Sequence, residues 1–125
     1  MIKFKSDIIA AQFDSMDERL RHIVYALSGF VWERYAKQIT LTSIFRSGDP
    51  GVHGCWRGCD VRVKPVGVNS MFTFLEIKEI ERFLDHYVYD ESRPLLKSYV
   101  IHGDKGQVHL HLQVNGGNFT KIFKD

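Results

Sequence analysis

The chain of 125 residues contains 44% hydrophobic and 26% charged residues and has a formal net charge of +2. A chain of this length can bury a hydrophobic core without disulfide or metal support, so we predict a single domain over residues 1–125. The small charge and the dispersed lysines predict no nucleic-acid partner. No apolar run approaches the roughly 20 residues that cross a bilayer, and no signal-peptide core is present. We therefore expect no membrane partner and synthesis in the cytoplasm.

The first half of the chain predicts one helix and two strands. Ser15 and Glu18 form a capping-box pattern, and apolar residues follow at helical spacing, so we predict a helix from about 16 to 34. The segment KQITLTSIFR then alternates with period two, which indicates a mostly buried strand. The loop SGDPGVHG interrupts this strand, and alternation resumes in CDVRVKP. We expect His53 in the loop and Asp60 at or just inside the second strand.

The second half predicts a helix and a hairpin. Thr73 and Glu76 form another capping-box pattern, and the helix that follows is predicted to run to about Val88. After the break at SRP, the segments LKSYVIH and QVHLHLQV indicate two strands joined by the turn GDKG. This order of elements predicts an α+β fold, with helices packed on a largely antiparallel sheet.

Histidines are concentrated in the segments that could form a site. His53 lies in the predicted loop, His102 in one arm of the hairpin, and His109 and His111 in the other arm. Period two places His109 and His111 on one face, while the leucines between them point to the core. Zinc is commonly bound by imidazole nitrogen and carboxylate oxygen, so His53, Asp60 and one hairpin histidine would supply three ligands. The alternative is that these are ordinary histidines on an exposed sheet face.

The segment HGCWRGCD also contains both cysteines of the chain, Cys55 and Cys59. We expect small, buried free thiols in a turn, because the cytosol keeps thiols reduced and the C-x-x-x-C spacing differs from the C-x-x-C redox motif. The alternative is a structural zinc bound by both thiolates and His53. Trp56 and Arg57 either line a substrate cleft or simply pack beside the glycine turn.

Two motifs together resemble a known family. The segment from His53 to Asp60 has the H-x6-D spacing of the zinc D-Ala-D-Ala peptidases, which share a fold with murein endopeptidases and the hedgehog signalling domain. The segment HLHLQV, with His109 and His111, resembles the second metal segment of that fold, and LTSIFRSGD resembles the strand that ends in an arginine before the metal histidine. The resemblance covers roughly residues 37–115 and is to a small phage-encoded member.

The resemblance implies a hedgehog-like or DD-peptidase-like fold and a set of site residues. By this resemblance His53, Asp60 and His111 are the zinc ligands, and Arg46 steadies the substrate carbonyl or the oxyanion. His109 either supports a zinc ligand from behind or supports the transition state.

One catalytic position departs from the family. The glutamate that the family carries shortly before its second histidine is absent, and His102, Asp104 and Lys105 stand in that region. Asp104 is the carboxylate there that could take a proton from water, and His102 is a further candidate catalytic residue.

The expected function is therefore a zinc-dependent, peptidase-like hydrolase of bacterial cell-wall peptides, of the D-Ala-D-Ala carboxypeptidase or endolysin type. Its partner would be a peptidoglycan peptide, and the chain would act as a monomer, released to the cell wall or associated with a virion. The alternative is a non-catalytic metal-binding or structural module of the same fold, which has lost the catalytic glutamate.

Overall fold

The computed structural model describes residues 2–63, 72–102 and 108–116 of the chain. In chain order the elements are β1 (Ile2–Phe4), α1 (Asp7–Phe13), α2 (Glu18–Tyr35), β2 (Ile39–Ser43), a 3-10 helix (Val52–Cys55), β3 (Gly58–Arg62), α3 (Phe74–Leu84), β4 (Tyr99–His102) and β5 (His109–Gln113). The predicted turn GDKG, Asp104 and Lys105 lie outside the described residues. Three helices and five strands confirm the α+β expectation.

The five strands form one mixed sheet in the order β1-β2-β3-β5-β4. Strands β1 and β2 pair in parallel, whereas the β2–β3, β3–β5 and β4–β5 pairs are antiparallel. The central strand β3 therefore has β2 on one side and β5 on the other. The β3–β5 register sets Asp60 opposite His111 and Arg62 opposite His109.

Alternation along the strands gives the sheet two chemically different faces. One face carries buried apolar residues and packs with the helices into a single core; on the sheet these are Ile39, Leu41, Cys59, Val61, Leu110 and Leu112. Successive side chains of a strand point to opposite faces, so Asp60, Arg62, His109 and His111 lie on the other face, which we call the open face. The polar and titratable side chains of these strands thus lie on the side of the sheet opposite the core.

The helix boundaries differ in part from the sequence prediction. The capping box at Ser15 and Glu18 is wrong: α2 begins at Glu18, and the Asp17 carboxylate accepts a hydrogen bond from the Arg19 backbone N–H at 2.9 Å. Asp and Ser are comparable caps, and Asp17 is the one placed where the helical turn starts. The third helix ends at Leu84, before Val88, which instead forms an isolated bridge with Lys97.

Two elements were not predicted from the sequence. Strand β1 spans only three residues, and α1 spans seven, with the Ser6 hydroxyl accepting from the Ile9 backbone N–H at 3.3 Å. Elements this short carry little periodicity, so pairing and packing with the rest of the chain decide whether they form. No helix within the described ranges is long and apolar enough to cross a membrane.

The capping box of α3 is present as predicted and can be tested by its stability contribution. The Thr73 hydroxyl accepts from the Glu76 backbone N–H at 3.1 Å, and the Glu76 carboxylate accepts from the Thr73 N–H at 2.9 Å. We expect Thr73→Ala to lower the free energy of unfolding by about 0.5–2 kcal/mol in urea denaturation. Thr73→Ser keeps the hydroxyl and should stay close to the parent; an equal loss in both variants would contradict a capping role.

Candidate metal centre

A cluster of His53, Asp60 and His111 lies on the open face. Asp60 is on the central strand and His111 lies directly across from it on β5, while the 3-10 helix brings His53 over both. Asp60 Oδ1 is 3.0 Å from His111 Nδ1 and 3.4 Å from His53 Nε2. The potential ligand atoms of the three residues all lie within 4.8 Å of one another. Buried His and Asp groups are thus positioned to hold a metal ion.

The backbone determines which nitrogen of His53 faces Asp60 with a lone pair. His53 Nδ1 lies 2.7 Å from the carbonyl oxygen of Ile44. A carbonyl can only accept, so Nδ1 carries the proton, and in the neutral ring Nε2 then offers its lone pair. That lone pair faces an oxygen of Asp60 that is also an electron-pair donor. A proton or a cation between the two atoms makes this contact favourable.

The same arrangement recurs at His111 through a side chain. The Gln113 amide nitrogen donates to the Lys97 carbonyl at 2.8 Å, which leaves Gln113 Oε1 facing His111 Nε2 at 3.2 Å. Nε2 therefore carries the proton, and Nδ1 offers its lone pair toward Asp60. A second hydrogen bond that orients the ring is usual for histidines that bind metal ions. Two imidazoles and one carboxylate oxygen thus present electron pairs to the same small volume.

Asp60 is the centre of this arrangement, and its side chain is only 4% exposed. Burial by itself raises the pKa of the carboxyl group, but when a proton occupies the contacts with His111 and His53, the hydrogen bonds from these rings and the charges of His53 and His109 outweigh it. The resulting pKa lies well below the usual value, so Asp60 is ionised at neutral pH. Arg46 donates to the other carboxylate oxygen, Oδ2, at 2.7 Å.

Two further residues, besides Asp60, hold the Arg46 side chain in place. Its Nε donates to the Ser43 hydroxyl at 3.1 Å, and Nη1 lies 3.7 Å from Asp49. The side chain is still 49% exposed, so part of the guanidinium remains accessible to a ligand. Arg46 therefore contacts a candidate metal ligand and the solvent at once.

His109 and His102 extend the site along the open face. His109 Nε2 lies 3.8 Å from Asp60 Oδ2, and the His102 ring packs edge-on against the His109 ring at 4.1 Å between centroids. Asp60, His102 and His109 form a second group whose donor atoms could hold a cation. Partial burial, and then the charge of His109, lowers the pKa of His102 below its usual value. Among the predicted catalytic residues, Asp104 alone lies outside the described residues.

The cysteines do not share this environment. Cys59 lies in β3, points into the core and is fully buried, and this burial raises the pKa of its thiol. Cys55 is exposed in the 3-10 helix. The expectation of two buried free thiols in a turn is therefore wrong about the burial of Cys55 and about the location of Cys59, which lies in a strand; both thiols are free, as expected. Within the described part of the chain, neither cysteine belongs to a group of potential metal ligands. Their opposite placement follows from the strand that begins between them.

Trp56 and Arg57 serve packing. The Trp56 ring stacks on Phe45 at 4.4 Å and packs against the core, and Arg57 donates to the Val114 carbonyl at 3.4 Å. These contacts fix the loop before β3 to the segment after β2, through Phe45, and to the segment after β5, through Val114. Sequence reasoning missed Gln113 and the Ile44 carbonyl. The one local signal was that Gln113 follows His111 by two residues and so shares its face.

Two glycines let the histidine loop approach the sheet. A Cβ atom at Gly54 would collide with the Asp49 carbonyl oxygen, and one at Gly58 would collide with Val52 and lie 3.2 Å from His111 Cε1. The glycines therefore set the distance between His53 and His111, whose ring centroids are 5.1 Å apart.

Comparisons with protein-family models, curated proteins and solved structures find no match to this chain.

The close approach at Gly58 gives a stability prediction. We expect Gly58→Ala to lower the free energy of unfolding by about 1–3 kcal/mol, because the added methyl group forces the 3-10 helix away from β3. Urea denaturation measures this loss, and a second change, Val52→Ala, should recover part of it. Gly29 in α2 has no atom within 4 Å of an added Cβ, so Gly29→Ala should instead stabilise by about 0.5–1 kcal/mol. A neutral Gly58→Ala would mean that the loop is not seated on the strand.

Proposed function

We propose that the chain is a zinc-dependent, peptidase-like hydrolase of bacterial cell-wall peptides. The observation that carries the proposal is the convergence of His53 Nε2, Asp60 Oδ1 and His111 Nδ1, each with the electron pair that a metal ion requires. Two imidazoles and a carboxylate are a donor set typical of catalytic zinc, which keeps a further position open. The H-x6-D spacing and the later histidine pair, which resemble the zinc D-Ala-D-Ala peptidases, supply the substrate class and the hedgehog-like fold.

The residues divide the chemistry of peptide hydrolysis among them. Zinc held by His53, Asp60 and His111 would supply Lewis acidity, which activates water at neutral pH and polarises the scissile carbonyl. Arg46 would place positive charge where the carbonyl oxygen becomes negative. His109 and His102 would relay to the departing amine the proton that the base takes from water. Asp104 is the candidate that takes the first proton from water.

We propose that the chain works as a monomer on peptidoglycan peptides and reaches them after release to the cell wall or as part of a virion. A second candidate function is a non-catalytic metal-binding module of the same fold. It is favoured by one observation: within the described residues, the two groups of potential ligands share a single carboxylate, Asp60. A ligand cannot serve at the same time as the base, so the module lacks a base unless Asp104 supplies it.

Metal content tests the centre directly. We expect about one zinc per chain in the parent protein by elemental analysis, and loss of zinc in Asp60→Asn, which removes the central anionic donor. The matched control is His86→Gln, since His86 is an exposed histidine after α3 whose Nδ1 hydrogen-bonds to the Phe83 carbonyl. Zinc retained in Asp60→Asn, or absent from the parent after reconstitution, would overturn the metal centre.

Gln113 tests the orientation of His111 separately from the ligands. Gln113→Ala should weaken zinc binding by about 10- to 100-fold, because it removes the acceptor that directs the His111 lone pair toward Asp60. Competition with a chromophoric chelator measures this affinity. Gln38→Ala, which changes the glutamine directly before β2, is the control and should bind zinc like the parent. An unchanged affinity in Gln113→Ala would show that His111 needs no such support.

Hydrolysis separates the two candidate functions. The zinc-loaded protein should release D-Ala from a peptide ending in D-Ala-D-Ala or cut purified peptidoglycan, and Asp60→Asn should not. Asp104→Ala should keep its zinc and lose at least about 100-fold in kcat if Asp104 is the base. Zinc binding without hydrolysis of either substrate would favour the non-catalytic module.

A further inference from the structure

We infer that a basic cavity beside the candidate metal centre is an oxyanion-binding subsite, which takes an acidic group of an extended ligand. The inference deepens the proposed function and rests on it for the identity of the ligand. The cavity itself is a separate feature of the fold, with a volume of about 680 Å³, and its lining includes Lys3, Lys5, Trp32, Thr40 and Arg62.

The sheet connects this cavity to the histidines. Lys3 pairs with Thr40, Arg62 pairs with His109, and His109 pairs with His102. Leu41 pairs with Val61 in the antiparallel β2–β3 ladder, which sets Thr40 beside Arg62. Each of these residues alternates with core residues, so their side chains belong to the open face. The side chains of Lys3, Thr40, Arg62, His109 and His102 form one row across all five strands, which we call the open-face row.

The cavity brings three cations together. Lys3 and Lys5 are exposed and Arg62 is half-buried. Within the described ranges, none of these three side chains forms an ion pair, whereas Lys37 at the same cavity is paired with Glu76 at 2.7 Å. Positive charges gathered in a concave surface attract an anion more strongly than the same charges spread over a flat one.

The cavity also has an aromatic wall. Trp32 is 47% exposed although it lies on the helix that supplies much of the core. An exposed indole beside cations suits a ligand that combines an anionic group with apolar or ring surface. A peptide with an acidic side chain, or a phosphate-bearing glycan, has this combination.

The geometry sets the distance between the acidic group and the reacting bond. Neighbouring strands are about 4.8 Å apart, so Arg62 lies about 5 Å and Lys3 about 14 Å from His109 along the row. An extended peptide advances about 3.3 Å per residue, so the acidic group would lie about two to four residues from the bond held at the metal centre. Arg62, nearest the histidines, is therefore the specificity-determining residue of this subsite.

The test compares two synthetic peptides that end in D-Ala-D-Ala. They differ only at the residue three positions before this dipeptide, whose side chain ends in a free carboxylate in one peptide and in the corresponding amide in the other. Binding is followed by backbone amide chemical shifts of the zinc-loaded protein, so hydrolysis is not required. We expect the acidic peptide to bind about 5- to 10-fold more tightly at low salt, and 0.5 M NaCl to remove most of the difference.

Variants assign the effect to the cavity. Arg62→Gln and Lys3→Gln should each remove most of the preference for the acidic peptide, whereas Arg62→Lys should retain it. All three should keep their zinc, and Asp60→Asn should still distinguish the two peptides if it binds them through the cavity. Absence of zinc from the reconstituted parent, with the preference for the acidic peptide retained, would thus count against the metal centre alone and leave the subsite standing.

Inorganic phosphate distinguishes the two sources of the oxyanion. Competition by phosphate in Trp32 and Arg62 chemical shifts would admit phosphate-bearing ligands to the subsite, and failure to compete would restrict it to acidic peptides; both outcomes support an oxyanion site. Equal binding of the acidic and amidated peptides, or a preference that survives in Arg62→Gln and Lys3→Gln, would overturn the inference.

Discussion

The burial of one ionised carboxylate is the interaction on which the open face depends. A buried charge without partners costs several kcal/mol, so Asp60 requires the groups around it. Those groups come from three separate segments: Arg46 follows β2, His53 lies in the 3-10 helix, and His111 lies in β5. The same carboxylate that could bind a metal ion therefore also holds the loop between β2 and β3 against the sheet. Structure and candidate chemistry share one residue.

The histidines show how a fold prepares ligands before any ligand is present. In each ring one nitrogen donates a hydrogen bond to an oxygen that can only accept. His53 donates to the Ile44 carbonyl, and His111 donates to Gln113 Oε1. The other nitrogen is left with its lone pair toward Asp60, so three electron-rich atoms crowd together. Such crowding is unfavourable for the bare groups and favourable once a proton or a metal ion lies among them. This is the physical basis for treating the cluster as a metal centre and not as ordinary surface histidines.

In the proposed function, the open face would bind the reacting bond and the acidic group of the ligand at separate places. Its centre contains Asp60 and the histidines, and toward β1 it carries Lys3 and Arg62, which form no ion pair within the described residues. The exposed indole of Trp32, on α2, lines the same cavity. A ligand that spans both regions would be positioned at two points, which restricts its orientation more than a metal centre alone. A flat sheet with a histidine cluster would bind many groups weakly. The added cavity would give a bound ligand one preferred orientation on this surface.

Local rules account for what the sequence by itself determined. The Thr73–Glu76 capping box, the alternation in β2, β3 and β5, and the common face of His109 and His111 all depend on residues within a few positions of each other. The placement of His53 before a strand that carries Asp60 followed from the same local patterns. These features predicted the α+β class and a ligand set of His53, Asp60 and one of the two hairpin histidines, and the family resemblance selected His111.

Tertiary structure decided what depends on register and long-range packing. Which hairpin histidine meets Asp60 is set by the β3–β5 register, since a slip of two residues would bring His109 to that position. The support from Gln113, the opposite fates of Cys55 and Cys59, and the joining of Lys3 to Arg62 in one row likewise need partners far apart in the chain. Short elements such as β1 form only because β2 pairs with them. Sequence periodicity indicates which face a residue occupies, whereas the packing of distant segments determines what that face touches.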